Sequence, residues 1–291
     1  LKKYLNKMWK KYKDSLWKIG FLAPAFILFF YIVGEPFIRG FLYSFTDWNG
    51  ASKEMNMVGF DNYMKFFKDP TVLLPIKNSL YYTAITVVVN NLIGLGLALL
   101  LNNSFKGTKV YRTIFFIPFV ISFVLVGFLW SYMYSDVIGA IFNIPSFLGN
   151  PKTVIPAIAG MSLWRDAGYV MVIYLAALQS IPEEFYEAAK VDGATALSKF
   201  KFITLPMLTP AFTINIALFL GWGVKVFDYV MAATGGGPGK SSETLALYVY
   251  KYTFNYNKVG YGQTVAIYMM ILVFVLAGSA AAFFRKREVE V

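Results

Sequence analysis

The sequence predicts an all-α integral membrane protein with six transmembrane helices, and three observations lead there. Hydrophobic residues make up 57% of the 291 and charged residues only 15%, with mean hydropathy +0.55, whereas a soluble globular domain carries about 25% charge. Six apolar segments reach the length of about 20 residues that a hydrocarbon core of roughly 30 Å requires of a helix. Basic residues cluster at the two ends of the chain beside apolar segments, where anionic lipid headgroups sit, so the net charge of +11 points to a membrane surface and away from nucleic acid. Cysteine and histidine are both absent, which excludes thiolate and imidazole chemistry and any disulfide framework.

Taken in order, residues 1–18 form a basic segment and 19–45 the first span. Its apolar run continues past Pro36 without a small-x-small cleavage signal, too long for a cleaved leader, and Gly34-Glu35-Pro36 predicts a tilt or kink. The remaining spans fall at 78–101, 110–134, 153–179, 209–233 and 262–284. Lys106, Lys109 and Arg112 after the second span, and Arg285, Lys286 and Arg287 after the sixth, lie on the side of the basic N-terminus. The positive-inside rule makes that side cytoplasmic, so both termini, including the tail 285–291, are expected inside. The connections 46–77 and 135–152 are then outside. No repeat of 20–50 residues is visible, and no inverted half-repeat of the kind that marks many secondary transporters.

The connection between spans four and five, SIPEEFYEAAKVDGATALSKFKFITLP, is a polar island between apolar segments. Ser180 is placed to cap a helix with Pro182 near its first position and Glu183 and Glu184 in its first turn. That helix is expected over 182–191, with Phe185, Ala188 and Ala189 on one face and Gly193 as the turn where it stops. A second short helix is expected over 195–202, with Pro206 ending it. Neither is long enough to persist alone in water. Two readings fit these residues: a knuckle docked on a partner protein, or an amphipathic hairpin lying in the headgroups.

The same residues carry a resemblance. EAA, three residues, G, nine residues and then I-x-L-P is the EAA-loop pattern of bacterial ABC importer permeases, filled here by Glu187, Ala188, Ala189, Gly193, Ile203, Leu205 and Pro206. The chain resembles the carbohydrate-uptake branch of that family, the subunits similar to the maltose permease pair, also through LYSFTDW, VGFDNY, YRTIFFIP, ALQSIP and TGGGPGKSSET. The resemblance implies a type I importer permease (MetI-like) fold over 19–284 and a non-enzymatic role in a prokaryotic cytoplasmic membrane. It implies as partners a second homologous permease, two ATPase subunits that bind the ATP and magnesium, and an extracytoplasmic sugar-binding protein. This chain would hold no cofactor or metal. The loop 182–206 would dock in a cleft of the ATPase, with Glu187 as charged anchor, Asp192 beside the turn and Gly193 setting the angle between the short helices.

TGGGPGKS, residues 234–241, superficially matches a phosphate-binding loop. The pattern requires glycine where Thr234 stands, Pro238 removes a cradling amide, and the segment is predicted outside the cell after a helix. It reads as a glycine-rich exit turn.

Ionisable groups at membrane depth are costly and therefore mark candidates. Glu35 and Arg39 are one helical turn apart, Lys225 and Asp228 three residues apart, and either pair could simply neutralise itself near the outer interface. Arg165 and Asp166, adjacent in span four, point in different directions and are expected to serve different neighbours. A sugar presents hydroxyls and apolar C–H faces, which calls for polar groups mixed with aromatic plates. The candidate pathway residues are Trp164, Arg165, Asp166, Asn215, Trp222, Phe227, Asp228 and Tyr268. Asn90 and Asn91 in span two are expected to hydrogen-bond between helices. The rival readings are an ion-coupled secondary transporter using Glu35, Asp166 and Asp228, an importer permease for a solute other than sugar, and a membrane enzyme, for which no paired-carboxylate or metal-ligand motif is present.

Overall fold

The computed structural model describes residues 17–103 and 105–288. All but Trp17 and Lys18 of the predicted basic segment, and 289–291 of the predicted tail, lie outside the described residues. Helices account for the architecture, and among the described residues the only β pairing is an isolated bridge between Thr46 and Met57.

Helix α1 (Trp17–Tyr43) is the first span. The predicted kink is absorbed as a wide turn at Phe30–Gly34, after which Pro36 sits in the first turn of the resumed α-helix, where its missing N–H costs nothing. Arg39 pairs with Glu35 as the spacing predicts. Helix α2 (Asp61–Lys68) lies within the connection 46–77, for which the sequence predicts no element. Helix α3 (Leu73–Asn102) is the second span.

The third predicted span, 110–134, is two helices, α4 (Thr108–Val120) and α5 (Phe123–Phe142). Pro118 weakens the last turn of α4, Ile121 adopts extended backbone, and the Ser122 hydroxyl accepts from the Leu125 amide at 3.3 Å to start the next helix. Helix α6 (Val154–Gln179) covers the fourth predicted span and is the most enclosed helix of the bundle. The loop helices α7 (Glu183–Val191) and α8 (Ala196–Met207) follow. Span five is broken into α9 (Thr209–Val224) and α10 (Asp228–Ala233). The Val226 carbonyl freed by this break accepts from the Thr244 hydroxyl at 2.8 Å. Helix α11 (Leu245–Tyr250), also unforeseen, precedes α12 (Val259–Arg285), the last predicted span.

Length and apolarity alone qualify α1, α3 with its leading turn, α5 and α12 to cross a membrane. A fifth crossing arises if α8 and α9, bent by 60° at Leu208, count as one. Helix α6 carries Arg165 and Asp166 and is less apolar, yet it occupies the centre of the bundle, against α3 on one side and α4 on the other. Close approach there depends on two glycines. A Cβ on Gly94 would lie 2.4 Å from Val170 Cγ1, and one on Gly168 would lie 2.0 Å from the Phe115 carbonyl oxygen. Because the second obstacle is backbone, Gly168→Ala is expected to force α4 and α6 apart at a cost of about 1–3 kcal/mol, read as a lowered thermal midpoint of the purified protein.

The end of the bundle opposite the α7–α8 loop is tied by polar clasps. Glu243 accepts from Lys251 at 2.8 Å, its carbonyl accepts from the Asn78 amide at 2.9 Å, and the Ser79 hydroxyl accepts from the Leu245 amide at 2.9 Å. Asp69 accepts from the Thr71 amide and hydroxyl and from the hydroxyls of Tyr248 and Tyr261, at 2.7–3.1 Å. Burial pushes the Asp69 carboxyl up, but these bonds outweigh it and hold the group below the usual carboxylate range. The chain closes on itself where α1 meets α12: Thr264 donates to the Ser44 carbonyl at 3.1 Å and the Gly260 amide to the Trp48 carbonyl at 3.1 Å.

Candidate functional site

Two regions concentrate the residues singled out by sequence. The first is the α7–α8 knuckle. Pro182, not Ser180, is the residue before the first turn of α7, and the Ser180 hydroxyl instead returns to the Ala177 carbonyl at 2.8 Å. With no side-chain cap, the first turn relies on Glu183 and Glu184 against the helix dipole. Gly193 has φ +72°, the left-handed turn expected of it. The second helix starts at the Thr195 cap, widens at Phe200–Thr204 and runs through Pro206, so proline does not end it; the bend comes two residues later. Pro206 is tolerated because it falls in the first turn after the widened segment, where its amide is not needed.

Tyr186 and Thr204 share a hydrogen bond of 2.9 Å across the knuckle, and Tyr186, Ile203 and Met207 pack toward a core formed by Leu178, Ile181 and Leu208. The inner side of the knuckle is thereby fixed to the bundle. Its outer side is bare. Glu187, Ala188, Asp192 and Gly193 are exposed and Leu205 is 38% exposed, while Ala189, Ile203 and Pro206 are half-buried. Beside them stand exposed Val191, Leu197 and Phe202. A surface of nearly balanced charges, with Lys190 and Lys201 exposed beside Glu187 and Asp192, that also bares aliphatic and aromatic side chains on a rigid mount suits a protein groove better than water.

The second region is a cavity of about 250 Å³ at the opposite end of α9. Asp166, Trp222, Phe227 and Asp228 line it, together with Tyr82, Thr86, Phe123, Ser162, Phe219 and Tyr229, which the sequence reading did not select. Tyr82 and Thr86 stand four residues apart on α3, and that polar repeat in an apolar helix was the available signal. Lys225 and Asp228 both line the cavity but do not form the predicted helical pair, because Lys225 lies just past the end of α9 and Asp228 begins α10.

Arg165 and Asp166 each have their own neighbours, as expected, but they also pair with one another, which was not: Arg165 Nη1 donates to Asp166 Oδ1 at 2.6 Å, both groups being buried. Ser162 donates to the other carboxylate oxygen at 3.0 Å. Arg165 Nε donates to the Ile121 carbonyl at 2.8 Å, satisfying the break between α4 and α5, and its guanidinium lies over the rings of Phe119 and Phe123. A buried ion pair thus holds one wall of the cavity in position.

The other candidates fall elsewhere. Trp164 is 38% exposed and meets Trp130 edge-on. Tyr268 stacks on Phe66 with ring centroids 4.0 Å apart, clamping α2 against α12. Asn215 is fully buried below the cavity. Asn91 does link helices, accepting from the Tyr174 hydroxyl at 2.5 Å, but Asn90 has no hydrogen-bond partner among the described residues.

Residues 90–289 match the family of the binding-protein-dependent transport system inner membrane component. The chain is 31% identical over 287 residues to the probable starch degradation products transport system permease protein AmyD of Thermoanaerobacterium thermosulfurigenes, covering 97% of this chain and 98% of that one. It is also 31% identical to the multiple sugar-binding transport system permease protein MsmF of Streptococcus mutans, covering 96% and 99%. Among solved structures it is similar to a chain of a bacterial ABC transporter involved in import of the acidic polysaccharide alginate, with TM-score 0.81 and 25% identity over 96% of this chain and 99% of that chain. A match over most of the chain, on a helical bundle whose polar knuckle and cavity stand at opposite ends, leads to one assignment: the chain belongs to the family of inner-membrane permease components of binding-protein-dependent ABC transporters, and is a transport subunit, not an enzyme.

Proposed function

We propose that this chain is one permease subunit of an ATP-driven importer of carbohydrate, an oligosaccharide by preference, and supplies half of the translocation pathway. A second homologous permease completes the pathway, two ATPase subunits carry ATP and magnesium on the cytoplasmic side, and an extracytoplasmic binding protein delivers the solute. The observation that carries this reading is the knuckle: a rigid charged and apolar projection built on Glu187, Ala188, Ala189, Asp192, Gly193, Ile203, Leu205 and Pro206, with its outer side bare. Relatives of matching length named for starch products and for multiple sugars support the solute class. Six crossings of a prokaryotic cytoplasmic membrane, with α6 counted despite its ion pair and both termini inside, complete the topology.

ATP-driven closure of the partner subunits would push on α7 and α8, and the bend at Leu208 would pass that motion into α9, which lines the cavity. There Asp166 and Asp228 offer acceptors to sugar hydroxyls, and Trp222 and Phe227 offer plates to C–H faces. Arg165 acts through Asp166 and the Ile121 carbonyl, as a positioning residue. Reconstitution of the chain with its partner subunits tests this: labelled oligosaccharide should accumulate only with ATP and binding protein present. Uptake driven by an ion gradient without ATPase would instead establish the secondary-transporter reading, and ATP-dependent uptake of an amino acid in place of sugar would retain the importer and replace its solute.

A further inference from the structure

Asn90 on α3 and Asn215 on α9 are each 0% exposed, and neither the oxygen nor the nitrogen of either carboxamide has a hydrogen-bond partner among the described residues. Burying such groups without partners is costly, and a bundle shaped for packing alone would be better served by leucine. Their register says where they are. Asn90 continues the stripe of Tyr82 and Thr86 at steps of four, and Asn215 precedes Phe219 by four, so each extends a cavity-lining face by one turn toward the α7–α8 knuckle.

The two helices are antiparallel: Gly223 meets Thr83 near the cavity, while Ala98 and Leu101 share a core with Leu208 and Ala211 at the other end. From the Thr83–Gly223 contact, Asn90 lies about 10 Å along α3 and Asn215 about 12 Å along α9, at nearly the same depth. The Tyr174 hydroxyl on α6 donates to the neighbouring Asn91 at 2.5 Å. Above this layer Phe219, 2% exposed, closes the cavity floor, and beside it Gly94 and Val170 press α3 against α6.

We propose that Asn90 and Asn215 form a second polar station on the solute path, sealed in this conformation, which water or solute hydroxyls enter when α3 and α9 part. A carboxamide donates and accepts together, as a vicinal hydroxyl pair does, so two of them facing a transient gap can pass a sugar onward without holding it through an ionic bond. The occupant rests on the carbohydrate reading above. The opening of the station does not.

The chain's lack of cysteine supplies the test. In the assembled importer, Asn90→Cys and Asn215→Cys introduce a single thiol each into this subunit, whose modification by a small charged methanethiosulfonate is read by mass. The expected result is a rate difference of at least tenfold between the nucleotide-free and vanadate-trapped complexes. In parallel, Asn90→Leu and Asn215→Leu should lower oligosaccharide uptake at least tenfold while binding-protein-stimulated ATP hydrolysis persists and the thermal midpoint does not fall. Thiols inert in both states overturn the proposal, as do leucine variants that transport like the wild type. A wild-type complex that moves no carbohydrate would refute the proposed solute and leave the thiol result to decide the station.

Discussion

Gly193→Val is expected to reduce ATP-driven uptake at least 100-fold while the purified subunit keeps its fold. The backbone at Gly193 has φ +72°, and a Cβ built there meets nothing within 4 Å, so no packing is lost on substitution. What changes is the turn. An L-residue in the left-handed region costs roughly 1–2 kcal/mol, and a β-branched one is further restricted about its side chain. The turn relaxes to negative φ, and α7 swings relative to α8, carrying Glu187 and Asp192 out of register with the partner groove. Gly193→Asn, which tolerates that conformation, should restore a measurable part of the uptake. Basal ATP hydrolysis by the partner subunits should continue in both variants, since the lesion lies in transmission. Proteoliposome uptake alongside phosphate release separates these outcomes, and wild-type uptake by the valine variant would remove the knuckle from the mechanism.

The second large effect belongs to the intramembrane pair. Arg165→Leu leaves the Asp166 carboxylate 4% exposed with the Ser162 hydroxyl as its remaining donor, and deprives the Ile121 carbonyl of its partner. Removing one member of such a pair costs about 3–5 kcal/mol, because the other charge stays buried without compensation. Replacing both with leucine removes the charge altogether. The double variant should therefore lose less than half of what Arg165→Leu loses, when unfolding is followed by denaturant titration in micelles. Losses that simply add would show that the two groups are not coupled. Transport answers a separate question, since Asp166 also lines the cavity, and the double variant should regain stability without regaining uptake.

Much of this arrangement was legible before any coordinates. The apolar runs located α1, α3, α6 and α12 within a few residues, since each is long and its boundaries are set by charge or glycine. The knuckle was legible because Gly193 has no steric alternative at a left-handed turn. Other features were hidden for identifiable reasons. Ser180 has the side chain of a cap, but the Ala177 carbonyl at the end of α6 competes for its hydroxyl, and sequence cannot tell which helix end wins. Adjacent residues on a helix diverge at Cβ, which argued against an Arg165–Asp166 pair. The long arginine stem overcame that divergence because burial made any other outcome more costly. Helix α2 is short and polar, and α11, though apolar, is only six residues long, too short for its periodicity to show; both are held by tertiary contacts such as Phe66 on Tyr268 and Tyr248 on Asp69. The fifth span reads as continuous because its apolar run carries on past Lys225 and Asp228, whose own spacing also fits a helix. Its break is stabilised by Thr244, far along the sequence.

The seam between α1 and α12 has a consequence for biogenesis. Ser44 and Thr264 are 220 residues apart in the chain, and α1 has none of its most apolar stretch covered by the rest of the subunit. During translation α1 must therefore enter the bilayer and wait there as a solitary helix until α12 has been synthesised. Its unbroken apolarity is what makes that wait tolerable: lipid serves as its provisional neighbour, and this seam closes only once α12 has been made.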